Sequence, residues 1–160
     1  MGGIPSGFAE SEPGAVAAAA SYLRRTEAAV LDGSGALSVV IRALTVEPLR
    51  SQALAAQPAS RLFSRARAAG PWFARGYRLG YRLDSYSPSA AQVAVWTFGL
   101  AAGVIPTLTD WSTTTLQLRF TAGDWKVSQA STAPGPIPPP ANASPQSDAA
   151  FARAAQTFKE

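Results

Sequence analysis

The sequence predicts an α+β fold in which three helices precede a four-stranded antiparallel sheet. Apolar residues recur at helical spacing up to Gly70-Pro71, and beyond that point they alternate one by one, as in strands. A proline-rich stretch then separates the strands from a last amphipathic segment. With 160 residues, of which 47% are hydrophobic, the chain is long enough for one domain with its own core.

The N-terminal part divides into a flexible arm, residues 1–11, and three helices that open a domain spanning residues 12–132. Glu12-Pro13 favours a helix start, because acidic side chains suit a helix N-terminus and proline fits its first turn. A second helix is predicted over residues 36–44, and a third over residues 47–69 with an interruption near proline 58. The apolar face of the first helix is predicted to contain Val16, Ala19, Ala20 and Leu23.

The first strand, residues 72–87, alternates so that one face is apolar and the other is basic. The apolar face contains Phe73, Tyr77, Leu79, Tyr81 and Leu83. The opposite face contains Gly76, Arg78, Gly80 and Arg82. The two glycines on that face indicate either sheet curvature, which we favour, or a site where a partner's backbone or side chain approaches closely. The next strand is apolar on both faces, which is typical of a central strand covered on each side.

The last two strands meet at Ala122-Gly123, which we expect to be a two-residue hairpin loop. In that register Phe120 lies opposite Trp125. The next inward pair, Leu118 and Val127, is also apolar. The predicted hairpin therefore closes without a conflict between its two faces.

The C-terminal part is predicted to be a connector, residues 133–147, followed by a helix, residues 148–160. The connector contains the run PGPIPPP, whose prolines favour an extended chain. Ser147 or Asp148 is the predicted helix cap. The apolar face of the helix contains Phe151, Ala154, Ala155 and Phe158. We expect this face to pack on its own domain, with a second copy or a partner as the alternatives.

The composition excludes several kinds of chemistry. The chain has no histidine and no cysteine, so imidazole triads, thiol catalysis, disulfides and Cys/His zinc sites are impossible. We predict no catalytic residue, no metal site and no cofactor. The net charge is +4, but no Lys/Arg run exceeds the pair Arg24-Arg25, so direct contact with nucleic acid is not expected.

A basic stripe is predicted on the sheet face that points away from the helices. Its residues are Arg78, Arg82, Arg119 and Lys126. An exposed antiparallel face is normally polar, so a solvated surface is one interpretation. The other interpretation is a docking surface for an acidic partner or for another copy of the chain.

Several segments resemble one group of actinobacterial proteins whose genes lie beside those of conjugative or integrative elements. The segments are GFAESEPGAVAAAASYL, YRLDSYSPSAAQVAVWTFGLAAG, WSTTTLQLRFTAGDWKVSQASTAPGPIP and FARAAQTFKE. The order of three helices and a curved four-strand meander also resembles the nuclear transport factor 2-like (cystatin-like) cone fold. Through this fold the group resembles the bitopic assembly component of type IV secretion systems.

This resemblance implies a non-catalytic assembly or scaffold domain that contacts other subunits of a DNA-transfer complex, with self-association as a further expectation. Members of the group are usually membrane-anchored with an exported domain of this kind. The implied location is therefore outside the cytoplasmic membrane, with an anchor that these 160 residues do not include. An accessory protein of another envelope system is a further interpretation.

An enzymatic or small-molecule-binding role is the main alternative, because the same cone fold houses isomerases, dehydratases and cyclases. In that case Tyr77 and Tyr81 are predicted to line a pocket. Such chemistry needs a carboxylic acid beside a tyrosine inside the cone. The pattern places none there, since Asp84 alternates with Arg82 and Asp124 is explained by the turn. We therefore predict that the protein is not an enzyme.

Overall fold

The computed structural model describes residues 3–32, 35–56, 73–103 and 107–160. Its helices are α1 (Glu12–Asp32), α2 (Ala36–Leu44), α3 (Leu49–Ala56) and α4 (Pro145–Ala155). Its strands are β1 (Phe73–Ser87), β2 (Ala90–Ala102), β3 (Leu108–Thr121) and β4 (Asp124–Pro134). The strands form one antiparallel sheet in the order β1-β2-β3-β4, so the predicted α+β class and element order are confirmed.

α1 lies across one face of the sheet, which we call the inner face. The hydroxyl of Ser11 accepts a hydrogen bond from the Gly14 N–H at 3.2 Å and caps the start of the helix. The buried stripe of α1 is Ala15, Ala18 and Ala19, one position away from the predicted stripe. Because alanine is small, the helix backbone comes close to the strands. The inner-face residues beneath it include Val93, Val95, Leu116, Leu118, Trp125 and Val127.

α2 begins and ends where the sequence predicts, and it packs against α1 through Ala29. Its buried residues are Val40, Ile41 and Leu44. After α2, the main chain runs beside β4, where the Val46 N–H donates to the Val127 carbonyl at 3.0 Å. The predicted continuation of the third helix beyond Ala56 lies outside the described residues.

The β3–β4 hairpin has the predicted register, with Phe120 opposite Trp125. Its loop residues Ala122 and Gly123 both have positive φ angles, 51° and 75°, as a primed two-residue turn requires. Further along β4, the register shifts at Ser128, which is a bulge. The hairpin prediction is confirmed, and the shift adds local twist to the end of the sheet.

β1 contains a bulge that the alternating pattern does not reveal. Arg78 pairs with Thr97, whereas Gly80 pairs with the adjacent residue Trp96. Leu79 is therefore the extra residue, and side chains on its two sides are out of phase. Residues 73–78 have the opposite orientation from the predicted one, while residues 80–83 have the predicted orientation.

The outer face of the sheet, opposite α1, is covered in part by the end of the chain. β4 continues to Pro134, and α4 starts at Pro145 with Ser144 rather than Ser147 or Asp148 as its N-cap. Phe158 packs on Trp96, with ring centroids 5.7 Å apart. The C-terminal helix thus packs on its own domain, and β2 is covered on both faces.

The N-terminal arm is fastened to the β3–β4 hairpin, so the prediction of a flexible arm does not describe all of residues 1–11. The Phe8 N–H donates to the Asp124 carboxylate at 3.0 Å. The Trp125 indole N–H donates to the Ala9 carbonyl at 2.8 Å. Phe8 also packs against the core beneath α1.

Candidate functional site

Arg78 lies on the inner face and not on the predicted basic stripe. Its guanidinium is 3.2 Å from the carboxylate of Glu27 on α1. The other carboxylate oxygen of Glu27 accepts the Gly76 N–H at 2.5 Å. A Cβ at Gly76 would stand only 2.8 Å from that oxygen, so the glycine permits the close approach of α1.

Arg82 does lie on the outer face, but its charge is already paired. Its guanidinium is 2.5 Å from the carboxylate of Asp84, which also accepts a hydrogen bond from Gln92 at 3.1 Å. The hydrogen bond from Arg82 is the main reason that the pKa of Asp84 is lowered and that of Arg82 is raised. The guanidinium also lies 5.4 Å from the ring centroid of Phe158.

Lys126 and Arg119 are neighbours across the hairpin but have different environments. The Lys126 ammonium is 2.8 Å from the Asp124 carboxylate and donates to the Ala43 carbonyl at 2.8 Å. Arg119 is exposed and forms no ion pair within the described part of the chain. The structure therefore does not bring the four predicted basic residues together on one free face, because the β1 bulge turns Arg78 inward and Asp124 holds Lys126.

Tyr77 and Tyr81 are also separated by the bulge. Tyr81 packs against the core beneath α1. Tyr77 lies on the outer face, where its ring stacks on Phe98 at 6.1 Å and the Arg75 guanidinium lies 5.8 Å from its centroid. The two tyrosines do not share a pocket, so the geometry behind the alternative prediction is wrong.

A cleft of about 440 Å³ opens between α1 and the ends of β1, β2 and β3. Its residues are mostly apolar or hydroxylated, with two carboxylates that the sequence pattern did not place inside the cone. The lining includes Leu23, Thr26, Glu27, Val30, Gly76, Phe98, Gly99, Leu108 and Asp110. Gly76 and Gly99 are direct cross-strand partners, and the lack of two side chains leaves room there. This pair of glycines is the sequence feature that could have indicated a cleft.

The polar groups of the cleft are bonded to one another. Glu27 holds Arg78 and the Gly76 N–H, as described above. Asp110 accepts a hydrogen bond from the Ser112 hydroxyl at 2.9 Å. Tyrosine is absent from the described lining, and the described residues contain no acidic cluster able to hold a metal ion.

A row of aromatic side chains crosses the outer face from the C-terminal segment to the open end of the sheet. Adjacent ring centroids lie 4.6–6.1 Å apart. The row consists of Phe158, Phe151, Trp96, Trp111, Phe98 and Tyr77. Stacked and tilted contacts of this kind stabilise the outer face beyond simple burial.

At the open end of this row lies an exposed rim, which we define as Phe73, Arg75 and Tyr77 on the outer face together with Leu108 on the inner face. Phe73 is 48% exposed and Tyr77 is 42% exposed, while Leu108 extends the apolar surface to the mouth of the cleft. The sequence pattern assigned Phe73 and Tyr77 to the core. The bulge at Leu79 instead turns both outward.

The comparisons with known proteins identify a family and a fold. The family model described as a domain of unknown function (DUF8175) matches residues 1–152. A comparison with curated proteins finds no match. Within the described residues, no helix is both long and apolar enough to cross a membrane.

Two solved structures illustrate the likeness in fold. A protein described as an aromatic ring hydroxylase from Novosphingobium aromaticivorans is 12% identical, with a TM-score of 0.55 over 78% of this chain and 91% of that one. An IcmL-like type IV secretion system protein from Legionella pneumophila is 13% identical, with a TM-score of 0.46 over 65% of this chain and 76% of that one. At this identity the first likeness shows the fold alone, and with the order of elements it confirms the predicted cone.

Proposed function

The chain belongs to the family described as a domain of unknown function (DUF8175), and we propose that it is a non-catalytic assembly domain that binds another protein subunit. The observation that carries this proposal is the exposed rim. Large apolar side chains stand in the solvent beside an arginine at one end of the sheet. Apolar surface rimmed by polar residues is typical of protein contact sites.

The chemistry of the rim suits a protein partner with acidic and apolar groups. Tyrosine, phenylalanine and arginine are enriched in interfaces. The aromatic side chains bury a large area with few rotatable bonds, and arginine adds positive charge and hydrogen-bond donors. Arg75 lies over Tyr77 and adds positive charge at the rim. Arg119 is exposed on the same face further along and is a second positive charge that an acidic partner could reach.

We place this contact in a conjugative, type IV secretion-like transfer complex outside the cytoplasmic membrane. The support is the resemblance of four sequence segments to the actinobacterial group described above. The cleft supports the non-catalytic part, since its described carboxylates are engaged by Arg78, Gly76 and Ser112 and no described tyrosine faces them.

The experiment is a Phe73→Ser/Tyr77→Ser double variant in the host of the conjugative element. Because both side chains are exposed, the domain should keep its fold, while transfer frequency and co-purification of partner subunits should fall at least tenfold. The matched control is Val39→Ser, which removes a 59% exposed side chain from α2 on another surface. Wild-type transfer and co-purification in the folded double variant would contradict the proposal.

A ligand-binding cone is the second candidate, and the cleft of about 440 Å³ is the observation that favours it. Its apolar walls and two carboxylates suit a small apolar molecule that carries an amine or another hydrogen-bond donor. Thermal shift measurements with a panel of apolar amines test this role. A ligand that raises the Tm of the wild type and of the Phe73→Ser/Tyr77→Ser variant, but not that of Asp110→Asn, would establish it.

A further inference from the structure

We infer that the groove around Gly80 and Trp96 on the outer face is a docking site for residues 145–159 of a second copy of the chain. Two copies exchange these residues, so that each groove holds the segment of the other copy in place of its own. We call residues 145–159 the tail. The exchange links two copies through identical contacts. This inference goes beyond the proposed function, because it requires no other subunit and concerns a different part of the outer face.

The groove recognises the tail through aromatic rings. Phe151 and Phe158 both lie against Trp96, with centroid distances of 6.0 and 5.7 Å. The Arg82 guanidinium stands 5.4 Å from the Phe158 centroid and donates weakly to Thr157 at 3.4 Å. Two phenylalanines seven positions apart therefore have one specific target on the sheet.

The main chain of the tail adds a strand-like contact at the edge of β1. The Tyr81 N–H donates to the Lys159 carbonyl at 2.8 Å, and the Lys159 N–H donates to the Tyr81 carbonyl at 2.6 Å. A Cβ at Gly80 would stand 2.9 Å from the Lys159 carbonyl oxygen. The three nearest atoms to that Cβ all belong to the tail, so the missing side chain at Gly80 serves the tail specifically.

The tail is attached in a way that permits exchange. α4 has no fully buried residue, so little apolar surface holds it in place. The last hydrogen bond from the connector to the sheet is made by the Pro136 carbonyl, which accepts the Trp96 indole N–H at 3.2 Å. Residues 137–144 then form a proline-rich stretch, and an extended chain of that kind reaches about 3 Å per residue, or roughly 25 Å.

Exchange between copies makes the same groove contacts as packing within one chain. The difference in free energy between the two arrangements is therefore small, and protein concentration decides between them. A second copy suits the groove as an occupant, because its tail has the same sequence as the tail that the groove already holds.

The test uses two full-length variants that are each defective in one half of the contact. Gly80→Val blocks the groove and leaves the tail intact. Phe151→Ala/Phe158→Ala removes the tail anchors and leaves the groove intact. Multi-angle light scattering should show concentration-dependent dimers for the wild type, none for either variant alone, and a one-to-one heterodimer when the variants are mixed.

The control is Arg119→Ala, which lies on the same face away from the tail and should dimerise as the wild type does. If the wild type remains a 16.6 kDa monomer at every concentration and the mixture forms no heterodimer, the inference is wrong. If the Gly80→Val variant alone dimerised as strongly as the wild type, that result would also overturn the inference. If Phe151→Ala/Phe158→Ala does not fold, Lys159→Pro replaces it in the mixture, because this substitution deletes the N–H that donates to the Tyr81 carbonyl. If Gly80→Val does not fold, Gly80→Ala replaces it.

Discussion

The carboxylate of Asp124 accepts the main-chain N–H of Phe8, 116 positions earlier in the chain, at 3.0 Å. The same carboxylate binds the Lys126 ammonium at 2.8 Å, although Asp124 is only 5% exposed. Burial by itself would raise the pKa of Asp124, but the hydrogen bonds from Lys126 and Phe8 outweigh it, and the pKa is lowered. Asp124 thus joins the N-terminal arm to the β3–β4 hairpin.

We expect Asp124→Asn to lower the free energy of unfolding by about 1–3 kcal/mol near neutral pH, because it weakens a buried, charge-assisted contact. A carboxyl whose pKa is lower in the folded state adds stability above its unfolded pKa and loses it as the pH falls through the folded value. The gap between wild type and variant should therefore shrink below about pH 4. Urea unfolding across this pH range measures it, and a gap that stays constant would contradict the assignment.

We expect Arg78→Glu to destabilise the fold by about 1 kcal/mol, because it would replace a part-exposed ion pair with two neighbouring carboxylates. Arg119→Glu is the matched control, since it makes the same charge change at an exposed position and should stay within about 0.5 kcal/mol of wild type. The Tm values of both variants, measured by thermal unfolding, show whether the Arg78 side chain points inward or outward. Equal effects would show that Arg78 points outward.

The phase change in β1 predicts different results for its two central tyrosines. Tyr81→Ala should cost about 2–4 kcal/mol, because Tyr81 packs in the core beneath α1. Tyr77→Ala should cost about 1 kcal/mol or less, because its side chain is 42% exposed. Chemical denaturation compares them directly, and similar losses would indicate uninterrupted alternation.

The hairpin loop offers a stabilising substitution. Ala122 has a φ of 51°, a left-handed conformation that alanine adopts at a cost and asparagine tolerates better. Ala122→Asn should raise the free energy of unfolding by about 0.5–1 kcal/mol, measured as an increase in Tm. Ala122→Val is the converse variant and should lower Tm. A higher Tm for the valine variant would argue against the primed turn.

Local patterns predicted much of this fold. The register of the hairpin follows from Phe120 facing Trp125, and the bounds of α2 follow from its apolar stripe. The apolar face of the tail was also predicted, through Phe151 and Phe158. In each case the signal lies within a few residues, so one sequence suffices.

The candidate site depends on information that a local pattern does not contain. The bulge at Leu79 lies in RLGYRL, which alternates acceptably in either phase. The cleft depends on a cross-strand pair of glycines and on the rotation of α1, which brings Glu27 to Gly76. Both are set by pairing between distant segments, so the exposed rim and the two carboxylates appear only in three dimensions.

The unpaired residue Leu79 gives opposite phases to the parts of β1 on its two sides, residues 73–78 and residues 80–83. Removing that one residue, with no other change, would turn Phe73 and Tyr77 beneath α1 and point Arg78 to the solvent. The cleft would fill, and the aromatic rim would disappear. The presence of one extra residue in β1, more than the identity of any side chain, therefore decides whether the aromatic side chains are exposed to a partner or buried in the core.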